Sequence, residues 1–257
     1  MRVNNPVTGT EKNYSENANL LSTTNLKGQI KYANPEFVDI AGFTLDEMVN
    51  EPHNIVRHPD MPPLAFDMLW KRLKSGKSWM GLVKNRSKNG DHYWVDAYAT
   101  PIQNGGITEE YQSVRVKPQK VWVDRAEALY AKLKKGTTPQ SLSRKPFSTL
   151  AKVSLGLWGS LLTGVGLSFL LAPQAAGATT TALLFSGGFS QIILWWLWQP
   201  INKVIQDAKA ISEDPVAMHI YTGRNDDAGQ LMLAMKMLSA ETAGLVGRIA
   251  DDSRQLS

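Results

Sequence analysis

Hydrophobic positions in the first half of the chain fall in short alternating or helical stretches, and they predict a mixed α and β domain. Residues 20–24 and 29–33 read as strands joined by a turn at Lys27-Gly28. Asn34-Pro35 caps and opens a short helix over 36–41, and Gly42 ends it. Thr44 followed by Glu47 is a capping-box pattern for a second short helix. Pro62 and Pro63 open a longer helix whose apolar stripe is Leu64, Met68, Leu69 and Leu73, with Gly76 as its stop. Three strands follow at 79–86, 92–101 and 110–117, with Asn89-Gly90-Asp91 and Gly105-Gly106 as the turns between them. Two strands, short helices and three strands describe a five-stranded antiparallel sheet with helices on one face.

The pattern then changes twice. Residues 121–135 read as a linker helix with Ala126, Leu129, Tyr130 and Leu133 on one stripe, and 137–146 as a polar, basic loop. From Val153 to Asn202 there is no Asp, Glu, Lys or Arg, a run of 50 residues. A bilayer core takes about 20 apolar residues per helix. The run therefore holds two spans, near 153–172 and 178–198, with Pro173, Gln174 and Gly177 at the break. Gly156, Gly159, Ser160, Gly164 and Gly166 permit close packing of the first span in lipid. The alternative, a buried soluble helix pair, would normally carry charge on an outer face. Beyond the second span, Pro200 opens a helix with Ile201, Val204, Ala208 and Ile211 in register, and 212–224 is a connector. Asp226-Asp227-Ala228-Gly229 then leads a helix in which Leu231, Met235, Leu238, Thr242, Leu245 and Ile249 step alternately by four and three. That spacing is a coiled-coil seam. One chain cannot bury two such short seams, which predicts a homodimer. A hairpin lying on the membrane surface is the alternative, disfavoured by the acidic balance of this segment.

Charge orients the pattern. The chain carries 28 Lys and Arg against 23 Asp and Glu, and the basic excess precedes the uncharged run. Lys132, Lys134, Lys135, Arg144, Lys145 and Lys152 flank the first span, and Lys203 and Lys209 follow the second. By the positive-inside rule both flanks, and so both termini, face the cytoplasm. Trp195, Trp196 and Trp198 fall where an interfacial aromatic belt is expected. The first twenty residues are polar and hold no secretory core, and 1–18 are expected to be a disordered tail. With no cysteine, disulfides, thiolate zinc sites and iron–sulfur clusters are excluded. The basic residues form neither an arginine-rich helix nor an RNP-like strand, which argues against nucleic acid. No phosphate-cradling glycine loop, catalytic triad or metal cluster is present, so the chain does not read as an enzyme.

The stretches NPEFVDIAGFTLDEM and GKSWMGLVKNRSKNGDHYWVDAYATPI, followed by a further strand, resemble a PAS domain. RHPDMP at 57–62 with KNRSKNGDHYW at 84–94 resembles the flavin-binding PAS domain of bacterial aerotaxis receptors. Those receptors run PAS, linker, membrane hairpin and HAMP, and the resemblance covers about residues 18–250, its last two parts by arrangement rather than by residues. It implies a PAS sensor over 19–118, a helical linker and basic juxtamembrane loop over 119–152, a hairpin over 153–198 and a HAMP-like coiled coil over 199–257. It also implies FAD held without a covalent bond, and redox or oxygen sensing in chemotaxis. Such receptors continue into a helical hairpin that controls a histidine kinase. The chain ends at Ser257, so either it is a shortened form of such a receptor or it signals through a separate protein; the expected partner is a chemotaxis kinase complex in the one case and that separate signalling protein in the other.

The residues that match the family's functional motif are Arg57, His58 and Asp60. Arginine presents paired donors to phosphate oxygens, His58 donates or accepts, and Asp60 fixes its orientation or, alternatively, caps the helix that follows. Asn85, inside a strand where propensity disfavours it, offers an amide to the edge of an isoalloxazine ring if Lys84 and Arg86 point the other way into solvent; exposure is its other reading. Asn34 would meet the ring from the opposite wall. Trp70 and Trp79 stack on the ring or are plain core. Two rival readings remain: a haem-binding PAS domain using His53, His58 or His92, and a structural membrane adaptor whose PAS domain binds only protein.

Overall fold

A computed structural model describes residues 4–139, 142 and 148–255. Arg144 and Lys145, counted in the basic flank, lie outside the described residues. The sheet has five antiparallel strands in the order β2-β1-β5-β4-β3, with β1 Leu20–Thr24, β2 Ile30–Ala33, β3 Trp79–Arg86, β4 His92–Asn104 and β5 Ile107–Val116. The last two strands run longer than the pattern predicts. Gly105 and Gly106, at φ of 56° and 83°, make a two-residue turn that needs positive φ twice, so pairing continues to Asn104↔Ile107.

The short helices are α1 Pro35–Ala41, α2 Leu45–Met48 and α3 Pro63–Lys74, with a 3-10 turn at His53–Val56. Asn34 caps α1, and Thr44 with Glu47 closes the expected capping box on α2. These helices pack one face of the sheet, where Phe37, Ile40, Met48, Val56, Leu73 and Tyr93 are buried.

Residues 4–18 are not the disordered tail the polar composition suggests. His92 accepts from Lys12 N at 2.7 Å and donates to Thr10 O at 2.9 Å, and Thr8 N reaches Gly90 O at 3.0 Å. Arg86 holds the carbonyls of Pro6 and Asn5, and Tyr14 packs edge-on against Tyr93. The segment is ordered by backbone pairing with a distant strand, which composition does not report.

The other face of the sheet is covered by α4 Lys120–Lys134, α7 Pro215–Thr222 and α8 Asp227–Gln255. Helix α4 buries the expected Ala126, Leu129 and Tyr130. The connector between the last helices contains α7, capped by Asp214 and ended by Gly223. Helix α8 lays Leu233, Ala234 and Met237 inward, and Gly244 lets it approach Tyr98, where an added Cβ would come within 3.1 Å of the ring. The seam residues lie on its other side: Met235 is 69% exposed, Leu238 47%, Leu245 59% and Ile249 65%.

Between α4 and α7 stand two long antiparallel helices, α5 Thr149–Leu171 and α6 Ala176–Ile211. Both are long and apolar enough to cross a membrane, and their apolar windows are 0% and 6% buried. A helix that is apolar all round and covered by nothing fits lipid, not a soluble core. Pro200 does not open a new helix: α6 continues through it to Ile211. The missing N–H frees only the carbonyl four residues earlier, at Trp196. Of the glycines in the first span only Gly164 faces the second, near Leu183. The close approach is at Gly187, where a Cβ would sit 2.4 Å from Leu161 Cδ1, and Gln191 Nε2 donates to Ser154 Oγ at 3.0 Å nearby. Gly187→Leu is expected to weaken the hairpin by about 1–3 kcal/mol through overpacking. Loss of disulfide crosslinking between cysteines placed at Ser154 and Gln191 measures it, and undiminished crosslinking refutes it.

Candidate functional site

Between the sheet and α3 lies a cavity of about 280 Å³. Leu69, Trp70, Leu73 and Phe66 of α3 form one wall; Trp79, Val83 and Asn85 of β3, Ala97 and Ala99 of β4, and Tyr111 of β5 form the other. Two glycines let the indoles lie close to the backbone. A Cβ on Gly28 would fall 2.8 Å from the Trp70 ring, and one on Gly81 would fall 2.4 Å from the Trp79 ring. Trp79 is 4% exposed, and to make room its ring would have to shift within the cavity wall it forms. Gly81→Ala is therefore expected to cost about 1–3 kcal/mol and to distort this wall. A lowered denaturation midpoint with a shifted tryptophan emission is the expected result; an unchanged midpoint contradicts it.

Four of the seven residues singled out in the sequence line the cavity: Arg57, Trp70, Trp79 and Asn85. Arg57 and Asn85 are neighbours through an antiparallel bridge. Alternation explains why the next residue is elsewhere: His58 N reaches Lys84 O at 3.3 Å, and its side chain turns, with that of Lys84, to the opposite side. Arg57 stacks over Phe66, 4.2 Å from the ring centroid, and donates to Met61 O. Burial lowers its pKa, and Asp67 opposes this.

The remaining three are committed to the fold. Asn34 uses its whole amide as a brace, accepting from Leu21 N and Phe37 N and donating to Asn19 O. His58 is 4% exposed, its Nδ1 accepts from Asp60 N, and burial with Lys84 nearby brings its pKa to about 4. Asp60 reaches Lys84 at 3.2 Å and Lys134 at 3.0 Å, which fastens the end of α4 to the domain. Burial works to raise the Asp60 pKa, but the two ammonium groups outweigh it and the net shift is downward. Nor does Asp60 cap α3, which has no side-chain cap. Lys84 and Arg86 do point away from the cavity as alternation requires, yet neither is solvated: they are 8% and 5% exposed, covered by α4 and by the N-terminal segment.

Cavity residues that sequence reasoning missed are Lys27, His53, Phe66, Tyr111 and Arg115; His53 had been weighed only as a haem ligand. The signal was present in β5, where Tyr111, Ser113 and Arg115 share a face. His53 Nε2 is engaged by Arg115 at 2.8 Å. His58 and His92 stand together on the far side of the sheet, ring centroids 5.7 Å apart. No axial histidine is thus free at the cavity.

Two features test the fit of a flavin nucleotide. The Asn85 Nδ2 group is buried without a hydrogen-bond partner, as is Tyr93 Oη opposite it on β4. Burial raises the Tyr93 pKa; Arg115 and the Asn85 amide, which lies close but not in bonding geometry, oppose this without reversing it. The lining also contains Lys27, Arg57 and Arg115 and not one Asp or Glu. A cavity walled by aromatic and aliphatic side chains, an unpaired amide N–H group and three cations suit a ligand with a flat polar-edged ring and an anionic tail, so the residues fit FAD.

Comparison with known proteins gives the relatives of this chain. Residues 30–114 match the family described as PAS fold. The chain is 32% identical to the aerotaxis receptor of Escherichia coli K12 over 252 residues, 92% of this chain and 49% of that protein. It is 28% identical to the nitrogen fixation regulatory protein of Klebsiella pneumoniae over 96 residues, 37% of this chain and 19% of that one. The chain thus spans about half the length of the first of these relatives and about a fifth of the second. Among solved structures it matches the dark structure of the Aureochrome1 LOV photoreceptor with a TM-score of 0.38 at 21% identity, covering 46% of this chain and 82% of that one.

Proposed function

Because this chain is an aerotaxis-receptor-like protein with a PAS domain, we propose that it is a membrane-bound redox or oxygen sensor that holds FAD non-covalently in the cavity and reports its redox state to α7 and α8. It is a transducer, not a catalyst. The helices α5 and α6 anchor it as a hairpin in a bacterial inner membrane, with the PAS domain and both termini on the cytoplasmic side. The exposed seam of α8 pairs with the same seam of a second copy, and the pair acts on a chemotaxis kinase complex or a separate signalling protein.

The observation that carries this reading is the unpaired Asn85 Nδ2 donor in an acid-free cavity. When bound, FAD supplies a ring whose edge changes between hydrogen-bond acceptor and donor on reduction. Asn85 offers both a donor and an acceptor and can answer by turning its amide. A buried mismatch costs about 1–3 kcal/mol, enough to shift a two-state domain about tenfold. Alternation on β4 gives the change a route. Ala97 and Ala99 face the cavity, while Asp96 and Tyr98, which alternate with them, face α7 and α8, where Tyr221 Oη donates to Asp96 Oδ1 at 2.6 Å and Lys236 Nζ lies 2.8 Å from Oδ2.

The test is an absorption spectrum of the detergent-solubilised protein before and after dithionite. An oxidised-flavin band that bleaches, with FAD recovered from the denatured protein, is expected. A Soret band favours the haem reading. A stable, colourless protein from a flavin-replete host favours the adaptor and overturns the proposal.

A further inference from the structure

Arg115 is buried deeper in the cavity wall than the other two cations. It is 4% exposed and Arg57 is 8% exposed, whereas Lys27 is exposed. Its guanidinium donates to Leu20 O at 3.3 Å, Ser22 Oγ at 3.1 Å, Ser113 O at 3.4 Å and His53 Nε2 at 2.8 Å, and lies 4.8 Å from the Phe37 ring centroid. Among the described residues no carboxylate pairs with it. The titratable groups that face it are His53 from the 3-10 turn, Tyr93 from β4 and Tyr14 from the N-terminal segment. None of them neutralises it. Burial and Arg115 itself bring the His53 pKa to about 3, so that ring is neutral, accepts through Nε2 and carries its proton on Nδ1. Burial raises both tyrosines above their ordinary value. Burial also lowers Arg115 to about 10, which leaves it protonated at neutral pH.

A buried cation without a counter-charge is expensive. A fold that fixes one in a cavity wall, by a neutral histidine and a serine, is prepared for negative charge that arrives with the ligand. Lys27, which is exposed, and Arg57, whose guanidinium presents paired donors, suit the anionic tail; Arg115, held only by neutral partners, is placed for the ring. We propose that Arg115 is the charge-selecting residue of this sensor, which favours a bound ring that keeps one negative charge after reduction. This rests on the flavin reading. In the step, two electrons come from an electrode through a viologen mediator and one proton from solvent binds a ring nitrogen. The second proton, which free reduced flavin takes up in acid solution, stays in solvent, and the negative charge remains on the ring beside the guanidinium.

The test is potentiometric titration of the full chain with its flavin across a mildly acidic pH range, beside free FAD. One proton per two electrons makes the midpoint potential fall with pH at half the slope of two protons per two electrons. The wild-type protein is expected to show half the slope of free FAD. Arg115→Met is expected to restore the full slope, and Arg115→Lys, which keeps the charge, to retain the half slope. A full slope in the wild type, or a half slope surviving in Arg115→Met, overturns the inference alone. If Arg115→Met does not retain flavin, Arg115→Gln is read in its place with the same two outcomes. A wild-type chain that binds no flavin overturns the flavin reading and this inference together.

Discussion

Asp96→Ala is expected to release α7 and α8 from the sheet. The Asp96 carboxylate is 6% exposed and takes both a hydroxyl from α7 and an ammonium from α8. Removing it leaves Tyr221 Oη without an acceptor in a buried site. It also leaves Lys236 without a counter-charge, held only over the Trp122 and Tyr221 rings at 4.8 and 5.6 Å. Breaking a buried pair from one side costs about 3–5 kcal/mol. Lys236 keeps 27% side-chain exposure and can reach water, so the expected loss lies near 3 kcal/mol. Hydrogen exchange of the α7 amides should rise about a hundredfold, since each 1.4 kcal/mol is a factor of ten. Lys236→Met should add little in the Asp96→Ala background, because coupled residues are not additive. Unchanged exchange would show that the docking does not depend on this acid.

Asn85→Leu is expected to move stability and ligand affinity in opposite directions. The leucine is close in size and has no polar atom to strand. Replacing a buried, unpaired donor with carbon should stabilise the ligand-free domain by about 1 kcal/mol. The same change removes the amide that meets the ring, at a loss of about 1–3 kcal/mol in affinity, or roughly 5- to 150-fold. Denaturant titration of the ligand-free protein and flavin titration measure the two effects. If both fall, Asn85 is a structural residue, and its role in the cavity is lost.

Much of the fold was legible because its signals are local. Asn34-Pro35, the Thr44 and Glu47 pair, Pro62-Pro63 and Gly105-Gly106 each specify a turn or a cap by themselves. The uncharged run announced two helices by what it lacks. What stayed hidden depends on residues far apart in sequence. The N-terminal segment is held by His92 and Gly90 backbone groups some 80 positions away. Helix α8 carries two faces, and only the seam of large residues at four-three spacing was readable. Its docking face mixes Leu233 and Met237 with the small Ala234 and Gly244, so it carries a weaker periodic signal than the seam. In the cavity, the motif around RHPDMP identified the right stretch but not the direction of each side chain. The bridge between Arg57 and Asn85 decides that one residue turns in and the next turns out. Arg115 escaped because a charge on an inward strand face has meaning only once the acid-free cavity beside it is known.

The central claim is that the redox state of the cavity is felt by α8. The chain has no cysteine, so spin labels can be placed at will without background. Labels at Asn104, on the tip of the β4–β5 hairpin, and Ser239, on the exposed side of α8, allow distance measurement by pulsed electron resonance in the flavin-loaded protein, oxidised and reduced. A shift or splitting of the distance distribution on reduction, abolished by Asn85→Leu, is the predicted result. Superimposable distributions in the two states would contradict the account.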